Sequence, residues 1–270
     1  MIMPEQTLAP GFVLPAWSLA RREVVRFFRQ RNRVIGALGT PIVFWLLFGF
    51  GLKDSFRPPS APEGMNYLEY FFPGTLILIL LFTSIFATIS IIEDRREGFL
   101  QAVLVSPVSP YAVVCGKIFG GTVIGFLQAM LFLLLAPFAG FTPGLVSLVV
   151  CALFMFVVGL GLTGLGYLFA WKMESVAGFH AIMNLFLMPM WLLSGALFPS
   201  SGAGAGIRWV MAVNPLTYGL AAIRQALSEH RVEGQPSLGI SMAVVVVFAI
   251  FTFAGTARLA GQRERGDRSE

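Results

Sequence analysis

The sequence predicts an all-α membrane protein with six transmembrane helices, an N-terminal interfacial amphipathic helix, a short cytoplasmic amphipathic helix after the second span, and a re-entrant helical pair before the last span. Three observations carry this. The 270 residues are 56% hydrophobic and only 12% charged, with a mean hydropathy of +0.78, a composition outside the range of water-soluble domains. Five stretches contain no Asp, Glu, Lys or Arg: Val34 to Leu52, Tyr70 to Ile92, Ile118 to Trp171, Ser175 to Ile207 and Gly234 to Ala257. Finally, the Lys and Arg residues distribute unevenly between the segments that join these stretches.

Each stretch has 19 residues or more, and at about 1.5 Å per helical residue that is enough to cross a hydrocarbon layer roughly 30 Å thick. The stretch from Ile118 to Trp171 has 54 residues and room for two crossings, with a Gly/Pro turn in its middle at residues 139–144. The spans are therefore placed at about 34–52, 71–92, 117–138, 145–170, 176–198 and 238–257. An even number of spans puts both termini on one side. With the termini in the cytoplasm, fourteen Lys and Arg fall inside, Lys117 and Lys172 among them, against five outside (Lys53, Arg57, Arg208, Arg224 and Arg231), which fits the positive-inside bias. The expected location is the cytoplasmic (inner) membrane. The excess of basic residues is spread beside spans with no recognition motif around it, so no nucleic-acid partner is expected.

The chain divides into a cytoplasmic N-terminal segment (1–33), a six-span domain (34–257) and a cytoplasmic C-terminal tail (258–270). In residues 14–33, Trp17, Ala20, Val24, Phe27 and Phe28 recur at helical spacing, with arginines on the other faces. This suits a helix lying in the headgroup layer on membrane lipids; it equally suits a positive-inside flank that happens to be helical. The first apolar run begins only at Val34, so the first span is expected to stay as an anchor. The outer loop at 53–69, with Pro58, Pro59 and Pro62, is expected to be a connector.

Two connecting segments stand out. After the second span comes Glu93-Asp94-Arg95-Arg96-Glu97-Gly98-Phe99-Leu100, continuing through Val103 and Leu104 to Ser106-Pro107-Val108-Ser109-Pro110. Five charges precede an apolar ridge, and the prolines mark a stop and a new start. The pattern predicts a short amphipathic helix with charges to orient a soluble partner and a ridge to fit its groove; a solvated loop is the simpler alternative. After the fifth span, Asn214-Pro215 forms a helix cap with proline at the first position. Leu216, Leu220, Ile223 and Leu227 then share one face, with Thr217, Arg224, Gln225 and Ser228 off it. Residues 205–228 are read as a re-entrant or interfacial pair.

Chemistry-bearing motifs are absent. The Gly116-Lys117 pair has Ile118 after it and Tyr111 where a phosphate cradle needs glycine, so the chain lacks the usual nucleotide loop. No nucleophile elbow or His-Glu-x-x-His occurs, and His180 and His230 fall on opposite sides of the membrane in this topology. Cys115 and Cys151 lie in apolar helical sequence and read as small buried hydrophobes. No catalytic, cofactor or metal site is expected. Without acidic groups at the bilayer midplane, ion-coupled transport is disfavoured. Gln128, Asn184, Phe186 and Met190 are the intramembrane side chains that could line a pathway, the two amides serving otherwise as interhelical hydrogen-bond partners. The spacings Gly116-x-x-x-Gly120 and Gly121-x-x-x-Gly125, with Gly159, Gly161, Gly164 and Gly166, permit close helix approach within one bundle or between copies.

The segments Glu93 to Leu100 with Val105 to Ser109, and Asn214-Pro215-Leu216-Thr217-Tyr218 with Ala222-Ile223-Arg224, resemble the two hallmark segments of type 2 ATP-binding-cassette (ABC) exporter permeases of the drug-resistance and nodulation-factor kind. The resemblance runs through nearly the whole chain. It implies a permease subunit that works as a pair, as a homodimer or with a related permease, and is powered by two copies of a separate ATPase subunit that hold ATP and Mg. It also implies that Glu93, Asp94, Arg95, Arg96, Glu97, Gly98, Phe99 and Leu100 form the coupling helix that docks on that ATPase. Asn214, Pro215, Tyr218 and Arg224 belong by the same resemblance to the re-entrant helix. Pro110 departs from the pattern, since relatives often carry a basic residue there. The expected cargo is a hydrophobic or amphipathic small molecule, drug or lipid-like; a lipid-linked glycan or polysaccharide is the alternative within the class, and an ATP-independent channel or scaffold the alternative outside it.

Overall fold

The computed structural model describes residues 11–52, 66–104, 106, 108–228 and 235–267. The expectations for Lys53, Arg57, the prolines at 58, 59 and 62, Pro107, His230, Arg231 and Arg268 lie outside the described residues. Ten α-helices follow one another: α1 (Val13–Arg29), α2 (Arg31–Gly51), α3 (Tyr67–Arg96), α4 (Phe99–Leu104), α5 (Pro110–Leu133), α6 (Leu145–Ala170), α7 (Val176–Trp191), α8 (Ala205–Val213), α9 (Pro215–Leu227) and α10 (Leu238–Asp267). Six of them, α2, α3, α5, α6, α7 with its continuation to Ala196, and α10, are long and apolar enough to cross a membrane. The chain is a multi-pass membrane protein, with the six spans where the hydropathy pattern puts them.

The central helix is α3. Asn66 caps it by accepting a hydrogen bond from the Glu69 backbone N–H at 2.9 Å, and Glu69 sits in the first turn, where a carboxylate complements the helix dipole. From Phe71 to Leu81 every residue of α3 is buried, because α2, α5, α6, α7 and α9 all pack against it. Three of its hydroxyls are satisfied locally: Thr75, Ser84 and Thr88 each donate to the carbonyl four residues earlier. By contrast α2 buries one stripe, Ala37, Pro41, Trp45 and Gly49, and exposes Ile35, Val43, Leu47 and Phe50.

Glycines set the helix spacing. A Cβ on Gly161 would stand 2.4 Å from Phe248 of α10, and one on Gly164 2.7 Å from Thr252. Between helices already surrounded by lipid, close packing of this kind holds the bundle together where hydrophobicity cannot. These motifs therefore serve contacts within one chain.

Several expected boundaries move. The N-terminal helix ends at Arg29 and a break at Gln30 turns the chain into α2. The second span extends to Arg96, so Glu93 to Arg96 are its last turn, not the start of the amphipathic helix, which begins only at Phe99. The third span starts at Pro110 and stops at Leu133, after which a 3₁₀ turn from Ala136 to Ala139 makes the hairpin. The last helix does not stop at 257, since α10 continues to Asp267. The segment expected to form a helical pair does form two helices, α8 and α9, and Leu216, Leu220, Ile223 and Leu227 are all buried.

Candidate functional site

The chain turns from α3 into α4 at an elbow, through Gly98, whose φ of 76° is a conformation side-chain-bearing residues avoid. This turn lays α4 back against the end of α3. Leu100 is buried, and the Phe99 ring lies 3.8 Å beneath the Arg22 guanidinium of α1, a cation–π contact. Arg96, Glu97, Gly98, Gln101 and Ala102 form the exposed outer edge.

Behind that edge is a buried ion cluster joining four helices. Asp94, fully buried at the end of α3, accepts from Arg22 at 2.8 and 3.0 Å, from Arg26 at 2.6 Å and from Lys117 at 2.6 Å. The Lys117 ammonium of α5, 1% exposed, also donates to Glu23 of α1 at 2.8 Å. Glu93 receives Arg26 at 2.9 Å, and Arg33 of α2 as well. Isolated, any of these charges would be costly to bury; pairing and hydrogen bonding make burial tolerable. Hydrogen bonding to Asp94 raises the pKa of Arg22 above its ordinary value, with burial working against it.

Small residues on α5 make the cluster possible. A Cβ at Gly116 would stand 2.5 Å from the Ala16 carbonyl, and one at Gly120 2.9 Å from that of Ala20. The first glycine pair is thus the seat of α1, and the seating brings Glu23 to Lys117. This corrects two expectations. Lys117 is a core cation, not a membrane-flanking charge, and α1 buries Leu19, Ala20, Glu23 and Phe27 against the bundle while Trp17 and Phe28 point out.

The eight residues assigned to partner docking therefore divide. Asp94 is buried and cannot touch a partner, and Leu100 is 3% exposed. Glu93 is committed to Arg26 and Arg33. Arg95 donates to the carbonyls of Trp171 at 2.5 Å and Met173 at 2.9 Å, and Arg96 to that of Glu174 at 3.0 Å. Those carbonyls lie at and just after the C-terminal end of α6, where cations are favourable. Glu97 and Gly98 stay on the surface with half-buried Phe99, joined by Gln101 and Ala102, which sequence reasoning had not selected.

At the opposite end, α7 breaks at Gly195, with φ of 93°. Tyr70 donates its hydroxyl to the Gly195 carbonyl at 3.0 Å, and Arg224 donates to the same oxygen at 3.2 Å while its guanidinium lies 4.4 Å over the Tyr70 ring. Arg224 is 7% exposed and makes no ion pair among the described residues. Its expected place off the buried face of α9 is corrected: helix-end carbonyls and an aromatic ring stand in for a carboxylate. Asn214 caps α9 by accepting from the Leu216 N–H at 3.0 Å and donates to the Met190 carbonyl at 2.5 Å. Pro215 follows at the first helical position, and Tyr218 donates to the Ala212 carbonyl at 2.7 Å.

The four pathway candidates also separate. Gln128 is buried between α5 and α3, where its side-chain oxygen accepts from Thr83 at 2.6 Å, an interhelical hydrogen bond. Asn184 is exposed on α7, Phe186 is half-exposed with its ring 5.8 Å from Phe169, and Met190 is half-buried. Phe179, Met183, Leu187 and Trp191 of the same helix form its buried stripe.

The sequence model of the ABC-2 type transporter family matches residues 16–228, from within α1 to the end of α9. The putative transport permease ycf38 of Cyanophora paradoxa is 26% identical over 255 residues, covering 90% of this chain and 87% of its own. Nodulation protein J of Rhizobium leguminosarum bv. viciae is 24% identical over 242 residues, with 85% and 87% covered. The probable multidrug ABC transporter permease YbhR of Escherichia coli (strain K12) is 24% identical over 155 residues, or 57% of this chain and 42% of its own.

Proposed function

Because the chain belongs to the ABC-2 type transporter family, and so has a transport permease role, we propose that it is the membrane subunit of an ATP-driven exporter in the cytoplasmic membrane. In this reading both termini and the elbow face the cytoplasm. Two copies of a separate ATPase subunit, holding ATP and Mg, dock on the elbows of two permease copies. The cargo is a hydrophobic or amphipathic small molecule moving outward.

The observation that carries the proposal is the elbow's construction. An exposed edge of Arg96, Glu97, Gly98, Phe99, Gln101 and Ala102 is mounted on a buried ion cluster that joins α1, α2, α3 and α5. A push on a free-standing loop would be absorbed by bending. A push on this edge is passed on to four helices, because Phe99 of α4 lies under Arg22 of α1, and Arg22 is itself bound to Asp94 of α3 within the cluster. Closure of the ATPases on ATP would then favour one of two arrangements of the paired bundles, and release the other. The outward apolar faces of α2 (Val43, Leu47, Phe50) and α7 (Leu185, Phe186, with Asn184) are where a second copy and cargo would meet the chain.

The test is co-purification and export. The wild-type permease is expected to retain an ATPase subunit on purification, whereas Glu97→Ala with Phe99→Ala keeps the permease folded but releases the ATPase or leaves its hydrolysis unproductive. Full ATP-dependent export by the double variant would overturn the docking assignment. Labelling of Gln101→Cys only from the outer face of intact cells would overturn the orientation.

A further inference from the structure

A groove of about 940 Å³ runs along the elbow-end halves of α6, α7 and α10. We propose that it binds an anionic phospholipid of the cytoplasmic leaflet, with an acyl chain along α10 and the phosphate between Lys172 and Arg258. The inference uses the orientation given above and no other part of that reading.

The walls are apolar: Phe169 and Met173 from the end of α6, Ile182 from α7, and Val247, Ile250 and Phe251 from α10. Val247, Ile250 and Phe251 are 62–70% exposed, so the chain itself does not cover them. The hollow exists because α10 turns small residues into it. Ala254 and Gly255 form the floor, and a Cβ on Gly255 would already stand 3.0 Å from Leu168.

Length and charge identify the occupant. Along α10 the apolar part of the groove runs from Val247 up to Arg258, about 16 Å at 1.5 Å per residue, which matches half of a roughly 30 Å hydrocarbon layer. It therefore spans one leaflet, from the midplane to the headgroups. At its headgroup end stand Lys172, Arg258 and Gln262, with no carboxylate among the lining residues. Every cation of the ion cluster is matched to Asp or Glu, yet neither Lys172 nor Arg258 forms an ion pair among the described residues. A basic pocket between spans on the cytoplasmic side is suited to an anionic headgroup, with arginine able to hold two phosphate oxygens at once. A second copy seated on this groove through a two-fold axis would bring four cations together with no acid between them, which argues against self-association here.

The experiment is native mass spectrometry of the purified full-length permease, titrated with phosphatidylglycerol or with phosphatidylcholine of the same chains. The wild type is expected to retain phosphatidylglycerol preferentially. Lys172→Gln and Arg258→Gln should each weaken that retention roughly fivefold, and Ala254→Phe, which fills the floor and leaves both cations, should weaken both lipids alike. Arg208→Gln, a cation exposed at the other end of the bundle, is expected to leave the preference intact. A phosphatidylglycerol carrying a photoreactive group in mid-chain should label the segment 247–258. Three results would overturn the proposal: no preference between the lipids in the wild type, unchanged retention in the Lys172→Gln/Arg258→Gln double variant, or efficient disulfide cross-linking of Phe251→Cys between two copies. Lipid retention requires neither nucleotide nor ATPase. A permease that binds no ATPase but keeps the lipid preference refutes the exporter reading and leaves this one standing.

Discussion

The two ends of the bundle bury basic side chains by different means. At the elbow end, Lys117 and its arginine neighbours are answered by Glu23, Glu93 and Asp94. At the far end, Arg224 is answered by two carbonyls, of Tyr70 and Gly195, and by the Tyr70 ring. The difference lies in what removal leaves behind. Taking a cation from the elbow leaves buried carboxylates with fewer countercharges, whereas taking the far-end cation leaves only carbonyl dipoles. The elbow should accordingly be the less forgiving joint, and a joint with high penalties for partial rearrangement moves as one body.

A graded set of substitutions can break that comparison or sharpen it. The largest loss is expected from Lys117→Met, which leaves Glu23 and Asp94 with fewer counter-charges in a buried site and should cost about 3–5 kcal/mol, read as a lowered thermal midpoint of the detergent-purified protein. Combining it with Asp94→Leu should cost less than the sum of the two alone, because the pair is coupled. Next comes Arg224→Met, at about 2 kcal/mol for hydrogen bonds made by a charged donor; Arg224→Lys should recover only part of this, since an ammonium has no planar face to lay over the Tyr70 ring. Equal losses for Lys117→Met and Arg224→Met would erase the distinction between the two ends. Tyr70→Phe removes one bond to Gly195 and should cost about 1 kcal/mol. The smallest effect belongs to Glu97→Ala, 61% exposed with Arg26 at 3.5 Å, within about 0.5 kcal/mol, so any loss of ATP-dependent export it causes cannot be charged to unfolding.

Hydropathy located all six spans, though not all their ends (the third helix starts at Pro110 and the last runs on to Asp267), because the bilayer imposes a length and an apolar composition that one sequence displays directly. Rotation about each helix axis was not legible. In α3 and α6 apolar residues occupy every side, so no periodicity says which way Asp94 or Thr163 faces. Lys117 illustrates the cost: by position it counts as a charge at the membrane boundary, and only the angles of α1, α3 and α5 together reveal that it points into the core. The Gly116 and Gly120 spacing was visible, but not that α1 would be its partner. Arg224 escaped for a related reason, since its receptor, the Gly195 carbonyl, exists only because α7 breaks there. The Asn214-Pro215 cap was readable because capping is local chemistry; at Ser109-Pro110 the proline start of the helix was readable too, although the Ser109 side chain makes no capping bond.

The pairing of Glu23 with Lys117 joins residues 94 positions apart, and this orders events during synthesis. When α1 leaves the ribosome its acid has only its own helix's arginines, Arg22 first among them, to answer it. Asp94 arrives next, at the foot of the second span, equally unmatched except by the arginines of the first segment. Only once the third span has entered the membrane can the ammonium close the circuit and let α1 settle into its glycine seat. Biogenesis of the first half is thus complete not when its residues have been translated but when Lys117 is inside, and a truncation before that point should leave an unsealed, protease-sensitive amino terminus.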